Sequence, residues 1–420
     1  MGQYFDRLET RDPELREREQ FSQLRAQIAH AKAHSAAYGR ILEDVDPRAI
    51  VSRSALARVP VTRKSELVEM QRRARPFGGL AATRWGVAAR VFASPGPIFE
   101  PEGRIADYWR FARALFAAGF RQGDLVHNCF SYHFTPGGSM VEQGALALGC
   151  TVFPGGVGQT EQQIQVIAEL APDGYAGTPS FLEIILDRAD AAGMSTRSLR
   201  KALVSGEAFS PASRDSLIAR GIAGFQLYGT ADLGAVAYET AARDGLIVDE
   251  GVLVEVLQPG TGDPVAPGEI GEVVVTTLHN ADYPLIRFGT GDLSAFLPGT
   301  SPCGRTNARL RGWMGRADQA TKVRGLFVHP SQISQIVRQH PEIRKARLVV
   351  DHDGGRDRMM LHVELAGGGS VDTEGISATM REVTKLRGGM VVLEAGELPD
   401  DGKVVDDRRR YDASNTDRER

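Results

Sequence analysis

Leu15, Phe21, Leu24, Ile28 and Ala31 recur at roughly helical spacing among polar positions, which predicts a helix over 12–43. TRKSELVEMQRRAR (62–75) predicts another helix; Thr62 is its start signal, and Ser65, three residues on, makes the capping box only partial. A third amphipathic run covers 105–119. From residue 125 the texture changes to short apolar runs, ended by turns, alternating with amphipathic stretches. LVHNCF, CTVFPGG, GYAGTP, KALVSG and GFQLYGT read as strands. Between them lie helices at about 140–148, QIQVIAELA, FLEIILDRADAAG and SPASRDSLIARG. Strand–helix alternation predicts parallel sheets with helices on their faces. Ligands in such folds bind beyond the carboxyl ends of the strands, where GTPS, SGEAF and YGTADLG fall. After 245 the pattern becomes apolar–polar alternation with turn dipeptides, predicting a small antiparallel β subdomain over about 245–310. LRGWMGR (310–316) reads as a junction, and 317–420 reads as βαββαβ-like. The expected fold class is α/β. A large N-terminal domain, 1–316, has mainly parallel sheets flanked by helices plus the β subdomain. A small α+β C-terminal domain covers 317–420.

Composition changes this picture little. A chain of 420 residues, 42% hydrophobic and 25% charged, is ordinary for two or three soluble domains. A formal net charge of −3 gives no ground for a nucleic-acid or membrane-surface partner. Cys129, Cys150 and Cys303 form neither a disulfide framework nor a zinc knuckle. The polar opening MGQYFDRLETRDPE is no signal peptide, and no apolar run approaches the ~18 residues of a membrane span. The expectation is a cytoplasmic homodimer acting on small molecules.

Four segments carry candidate chemistry. GFQLYGTADLGAVAYE (224–239) sets Tyr228 beside Gly229 and Thr230 at a strand end. YPLIRFGTGDLSAF (283–296) holds Arg287, Thr290 and Asp292. GRADQATKVRGLFVHP (315–330) holds Arg316, Asp318, Lys322 and Arg324, and LPDDGKVVDDRRR (398–410) puts Lys403 in a Gly-Lys turn. Singly, each has an ordinary explanation: a packed tyrosine, a turn, a surface charge, a solvated lysine. In this order and at these separations they resemble the adenylate-forming superfamily of acyl-CoA synthetases. Within it the chain resembles the phenylacetate-CoA ligase family. The opening FDRLETRDPELREREQFSQLRAQIAHAKAHSAAYGRIL, the segment PVTRKSELVEM, SYHFTPGGSMVEQGALALGCTVFPGG (131–156) and PCGRT (302–306) carry that likeness across nearly the whole chain.

The resemblance implies carboxylate activation by ATP and Mg2+ to an acyl adenylate, then transfer to CoA. It implies that Tyr228 stacks on adenine, with Gly206, Glu207 and Gly229 around it. Asp292 binds the ribose diol, Arg287 faces the phosphates and Thr230 contacts the α-phosphate. Asp232 stands where the family usually has a glutamate that helps hold Mg2+. Asp318 is the hinge of a mobile C-terminal domain, and Lys403 is its catalytic lysine. Tyr132, His133, Phe134, Thr135, Pro136 and Gly137, with Gly138, form the acyl pocket, whose rings favour an aromatic acid. Some members hold a structural zinc. Here only Cys303 remains of its cysteine pair, and 236–250 has neither cysteine nor histidine, so no zinc is expected.

One segment departs from the pattern. VFASPGPIFEPEG (91–103) stands where the family carries a loop rich in Gly, Ser and Thr. Such loops cradle phosphates with N–H groups, hydroxyls and often a lysine. Ser94 and Gly96 remain, Pro95 and Pro97 have no N–H to donate, and Glu100 and Glu102 carry the wrong charge for a phosphate. Two alternatives to an aryl-CoA ligase therefore stay open. One is an adenylating enzyme with a different acceptor or substrate, as in deazaflavin-coenzyme-adenylating synthetases. The other is a non-catalytic homologue that binds a nucleotide or acyl adenylate.

Overall fold

Asp12 starts the first helix, Pro13–His34, by accepting a hydrogen bond from the Leu15 N–H at 2.9 Å, with Pro13 at the first helical position. The helix predicted over 12–43 is broken at Ser35. Its extended backbone ends the first segment, and its hydroxyl caps a second, Ala36–Ile41, by accepting from the Tyr38 N–H at 3.2 Å. Phe21, Leu24, Ile28 and Ala31 are buried in the core. The polar side of the same helix is tied far along the chain. The Arg16 guanidinium meets Glu250 at 3.1 Å and donates to the Thr306 carbonyl at 2.7 Å, and the Tyr4 hydroxyl donates to the Cys303 carbonyl at 3.1 Å.

The computed structural model describes residues 3–84, 86–94, 98–319, 321–323, 326–353, 356–366, 372–399 and 403–409. The chain divides into two compact units, residues 1–290 with 294–313, and residues 291–293 with 314–420.

In the first unit the described residues build a nine-stranded sheet. Thr151–Phe153, Leu125–Asn128, Gly174–Gly177, Lys201–Val204 and Ala223–Thr230 lie parallel in that spatial order. From Ala223–Thr230 onward the sheet continues antiparallel through Gly234–Glu239, Leu246–Val248, Arg309–Leu310 and Phe296–Leu297. The sheet is therefore mixed rather than mainly parallel. The predicted β subdomain is divided as well. Val252–Leu257, Gly271–Thr277 and Phe288–Ser294 pair in a separate sheet with the short strand Thr62–Arg63, while the other strands of 245–310 complete the large sheet. Thr62 is thus a strand residue and not a helix cap; the helix itself is Leu67–Arg73. The helix predicted over 105–119 shortens to Phe111–Ala117. Asp107 and Arg110 adopt left-handed backbone, and the Asp107 carboxylate accepts from the Phe111 and Ala112 N–H groups.

The second unit has a hairpin, Thr321–Val323 with Leu326–Val328, and a sheet in the order Gly389–Leu393, Arg356–Leu365, Ile343–Asp353, Val405–Asp407. Helices Pro330–Gln339 and Thr373–Thr384 supply Ile333, Ile336, Ile376 and Met380 to its core. Among the described residues no helix is long and apolar enough to cross a membrane.

Candidate active site

The carboxyl ends of the parallel strands lie together. Gly206 follows Lys201–Val204 with φ at +87°, and a Cβ placed on it would lie 3.6 Å from Thr178 and 3.9 Å from the Phe130 ring, each just beyond a neighbouring strand. A side chain there would be strained whatever the space. Glu207 accepts from the Ser180 N–H at 2.7 Å, so its charge rests at the N-terminus of helix Pro179–Ala192. Ser205 donates to the Leu227 carbonyl at 2.7 Å and ties this loop to the Tyr228 strand.

The predicted acyl segment forms one turn ahead of helix Gly137–Leu148. Asn128, at a strand end, donates to the Tyr132 hydroxyl at 2.8 Å and to the Gly138 carbonyl at 2.9 Å. Burial pushes the Tyr132 phenol well above its usual pKa. A Cβ on Gly138 would come within 2.8 Å of the Tyr132 ring, so only glycine lets that ring lie against the helix start. His133 and Thr135 follow in a tight turn closed by Ser131, and Pro136 is buried. Phe134 is different. Its backbone is left-handed at φ +61° and its ring is 81% exposed, while its carbonyl accepts from the Ala93 N–H at 2.8 Å.

Tyr228 is half-buried, and its hydroxyl donates to Thr290 Oγ1 at 3.2 Å, which in turn donates to the Val273 carbonyl. Gly229 lies just past a register shift in the strand. The Thr230 hydroxyl turns toward Asp232 at 3.4 Å and accepts from the Leu233 N–H. Asp232 is fully buried and is matched by a cation that sequence reasoning passed over: Lys64 Nζ lies 2.6 Å from its Oδ2. The one sequence signal for Lys64 was its place in PVTRKSELVEM, where it read as part of a helix.

Glu100 belongs to the same group. Strands Arg90–Ser94 and Ile98–Glu102 pair antiparallel as a hairpin. Phe92, Ser94, Ile98, Glu100 and Glu102 are buried, whereas Val91, Ala93 and Phe99 keep some exposure. Glu100 and Glu102 are therefore directed into the protein, not set out as repulsive charges. Glu102 accepts from Trp109 Nε1 at 2.7 Å and Ser139 Oγ at 2.6 Å and pairs with Arg90. Glu100 accepts from the Ser94 hydroxyl. Its burial, and then the charge of Asp232, push its pKa up to about 8. Glu100 Oε2, Asp232 Oδ1 and the Tyr283 hydroxyl are buried and have no hydrogen-bond partner among the described residues.

Arg287 is the clear correction. It was expected at the phosphates, but it is fully buried. Its guanidinium makes a two-pronged pair with Glu255 at 2.9 Å and donates to the Ala57, Val59 and Gly262 carbonyls. It fastens three chain segments together and presents no free N–H face to a phosphate.

The other expected residues fall in the second unit or outside the described residues. Asp292 pairs with Arg316 at 3.1 Å inside that unit. Asp318 lies in the short helix Ala317–Gln319. Lys403 is exposed, with Nζ 3.8 Å from Asp406. Gly96 lies outside the described residues. At the remnant of the zinc pattern, burial pushes the Cys303 thiol up. Contacts with Ser301 and Arg305 more than offset this, and the pKa ends below the usual value.

Comparison with known proteins follows the same lines. The AMP-binding enzyme family matches residues 105–282. Phenylacetate-coenzyme A ligase of Aromatoleum evansii is 33% identical over 363 residues, covering 82% of this chain and 81% of that protein. The phenylacetate-coenzyme A ligase of Escherichia coli K12 is 33% identical over 378 residues, 86% of this chain and 85% of that one. A solved structure of 2-hydroxyisobutyryl-CoA ligase, an open conformation in complex with 2-HIB-AMP and CoA, superposes with a TM-score of 0.85 at 25% identity. The match covers 96% of this chain and 94% of that one.

Proposed function

The chain belongs to the phenylacetate-coenzyme A ligase family of AMP-forming acyl-CoA ligases, and from that premise we propose that it activates an aryl carboxylic acid with ATP and passes the acyl group to CoA. The observation that carries the choice of acid is the turn at 131–137. Tyr132 is held there by Asn128 at the end of a parallel strand, and Phe134 leaves its ring exposed.

In this reading an acid oxygen attacks the α-phosphorus, the bond to pyrophosphate breaks, and the CoA sulfur then attacks the acyl carbon and releases AMP. The protein's part is positioning and charge. Tyr228 offers its ring to adenine, Asp292 accepts from the ribose hydroxyls and Thr230 lies toward the α-phosphate. Asp232 fits a role beside Mg2+, because its buried Oδ1 has no hydrogen-bond partner among the described residues. Bound there, the ion would neutralise charge on the departing pyrophosphate. Lys64 already brings one positive charge to the same carboxylate. Lys403 is the lysine that bridges the substrate carboxylate and the α-phosphate during adenylation. Asp318 is the hinge about which that unit turns between the two half-reactions.

A second reading, a short hydroxy acid, is favoured by the structural match to 2-hydroxyisobutyryl-CoA ligase. Thioester formation across a panel separates the two. Phenylacetate and related aryl acids are expected to give the highest kcat/KM; a clear lead for 2-hydroxyisobutyrate or other short aliphatic acids would overturn the aryl assignment.

A further inference from the structure

The hairpin of Arg90–Ser94 and Ile98–Glu102 has an outer side as well as an inner one. Helix Leu67–Arg73 packs on that outer side and is clamped to it by one side chain. Gln71 Nε2 donates to the Phe99 carbonyl at 2.9 Å, and Gln71 Oε1 accepts from the Phe99 N–H at 2.8 Å. Around this clamp lies a cavity of about 600 Å³, within the usual range for small-molecule sites. Its walls are Val68 and Pro76 on the helix side and Val91 and Phe99 on the hairpin side. With both groups of the Gln71 amide engaged, the charged residues lining the cavity among the described residues are Arg72 and Arg75. Both are exposed; Arg72 has only a loose 4.0 Å approach to the exposed Glu69. Among the described residues no carboxylate lines the cavity. Ser94 and Glu100 are buried on the other side of the hairpin.

We propose that this cavity is a regulatory site for a small organic anion, an apolar body bearing one carboxylate or sulfonate. The body lies against Val68, Pro76, Val91 and Phe99, and the anionic group pairs with Arg72 and Arg75. Guanidinium forks match planar oxyanions, and the walls exclude water from an aryl or alkyl body. Such a ligand touches both helix and hairpin. It braces the two strands of the hairpin and, on the proposed ATP-dependent reading, by linkage it and ATP strengthen each other's binding.

The test uses 8-anilinonaphthalene-1-sulfonate, whose fluorescence rises in an apolar site, titrated into the full-length protein with AMP saturating. One site is expected. Arg72→Ala/Arg75→Ala is expected to weaken it about tenfold or more. Val68→Trp, which fills the cavity and keeps both arginines, is expected to abolish it. Unchanged affinity in either variant overturns the site: the first would remove the role of the charges, the second the role of the cavity. Steady-state kinetics test the regulation. The bound probe is expected to lower the KM for ATP severalfold in the native protein and not in Val68→Trp. An unchanged or raised KM in the native protein sinks the regulatory claim.

Discussion

At the scale of single residues, the informative group is Lys64, Asp232 and Glu100. Two buried carboxylates share one partly exposed lysine, so one of them is favoured in its protonated form. The raised Glu100 pKa means the folded state holds a proton that the unfolded chain releases near pH 4.5. Stability from this group is complete below that pH and is lost as pH rises toward about 8. Glu100→Gln keeps the shape and removes the titration. Its melting temperature is expected to fall less than that of the native protein between pH 5 and 8, and to exceed it at pH 8. Parallel melting curves across that range would show that Glu100 is ionised throughout. None of this was legible beforehand. The sequence displays Glu100 and Glu102 as negative charges beside a phosphate turn, and only the strand register tells which side they take. Arg287 misled for a related reason. Its motif is visible, but its partner Glu255 lies 32 residues away on another strand.

At the scale of elements, the hairpin is, on the proposed reading, the grip on the β- and γ-phosphates of ATP, while adenine, ribose and the α-phosphate rely on other elements. The Ser94 hydroxyl is already donated to Glu100, so a phosphate has to displace that bond to use it. Each missing charge-assisted hydrogen bond removes about 1.5–3 kcal/mol, so two weaken the grip on the β- and γ-phosphates by roughly a hundredfold or more. Isothermal titration is therefore expected to show AMP binding at least as tightly as ATP with Mg2+. Micromolar ATP binding well ahead of AMP would show that other groups, Lys64 foremost, supply the missing contacts. The strand–helix alternation from 125 to 230 was readable because each parallel strand is a continuous apolar run beside its own helix. The region 245–310 was not. Strands of two or three residues such as Leu246–Val248 and Phe296–Leu297 take their sheet from distant partners, and no local pattern encodes that choice.

At the scale of the whole molecule, Lys403 lies in one compact unit and Tyr228 and Thr230 in the other. A residue needed in only one half-reaction has a separable defect. Lys403→Ala is expected to lose adenylation by about a hundredfold or more, read by pyrophosphate exchange, while still forming thioester from supplied acyl adenylate. Because the side chain is exposed, this change leaves the fold intact; equal loss in both assays would mean the lysine acts structurally. The order of the motifs made the family legible from sequence, since order survives where individual contacts change. The opening helix has a different consequence. Arg16 finds Glu250, Thr306 and Asn307 only after some 234–291 further residues have been added. At typical synthesis speeds the Arg16 side of the helix waits on the order of 15–60 s for these partners. A chain arrested on the ribosome short of residue 307 thus holds an Arg16 whose full set of partners does not yet exist. The helix is made long before the contacts that lock Arg16 in place.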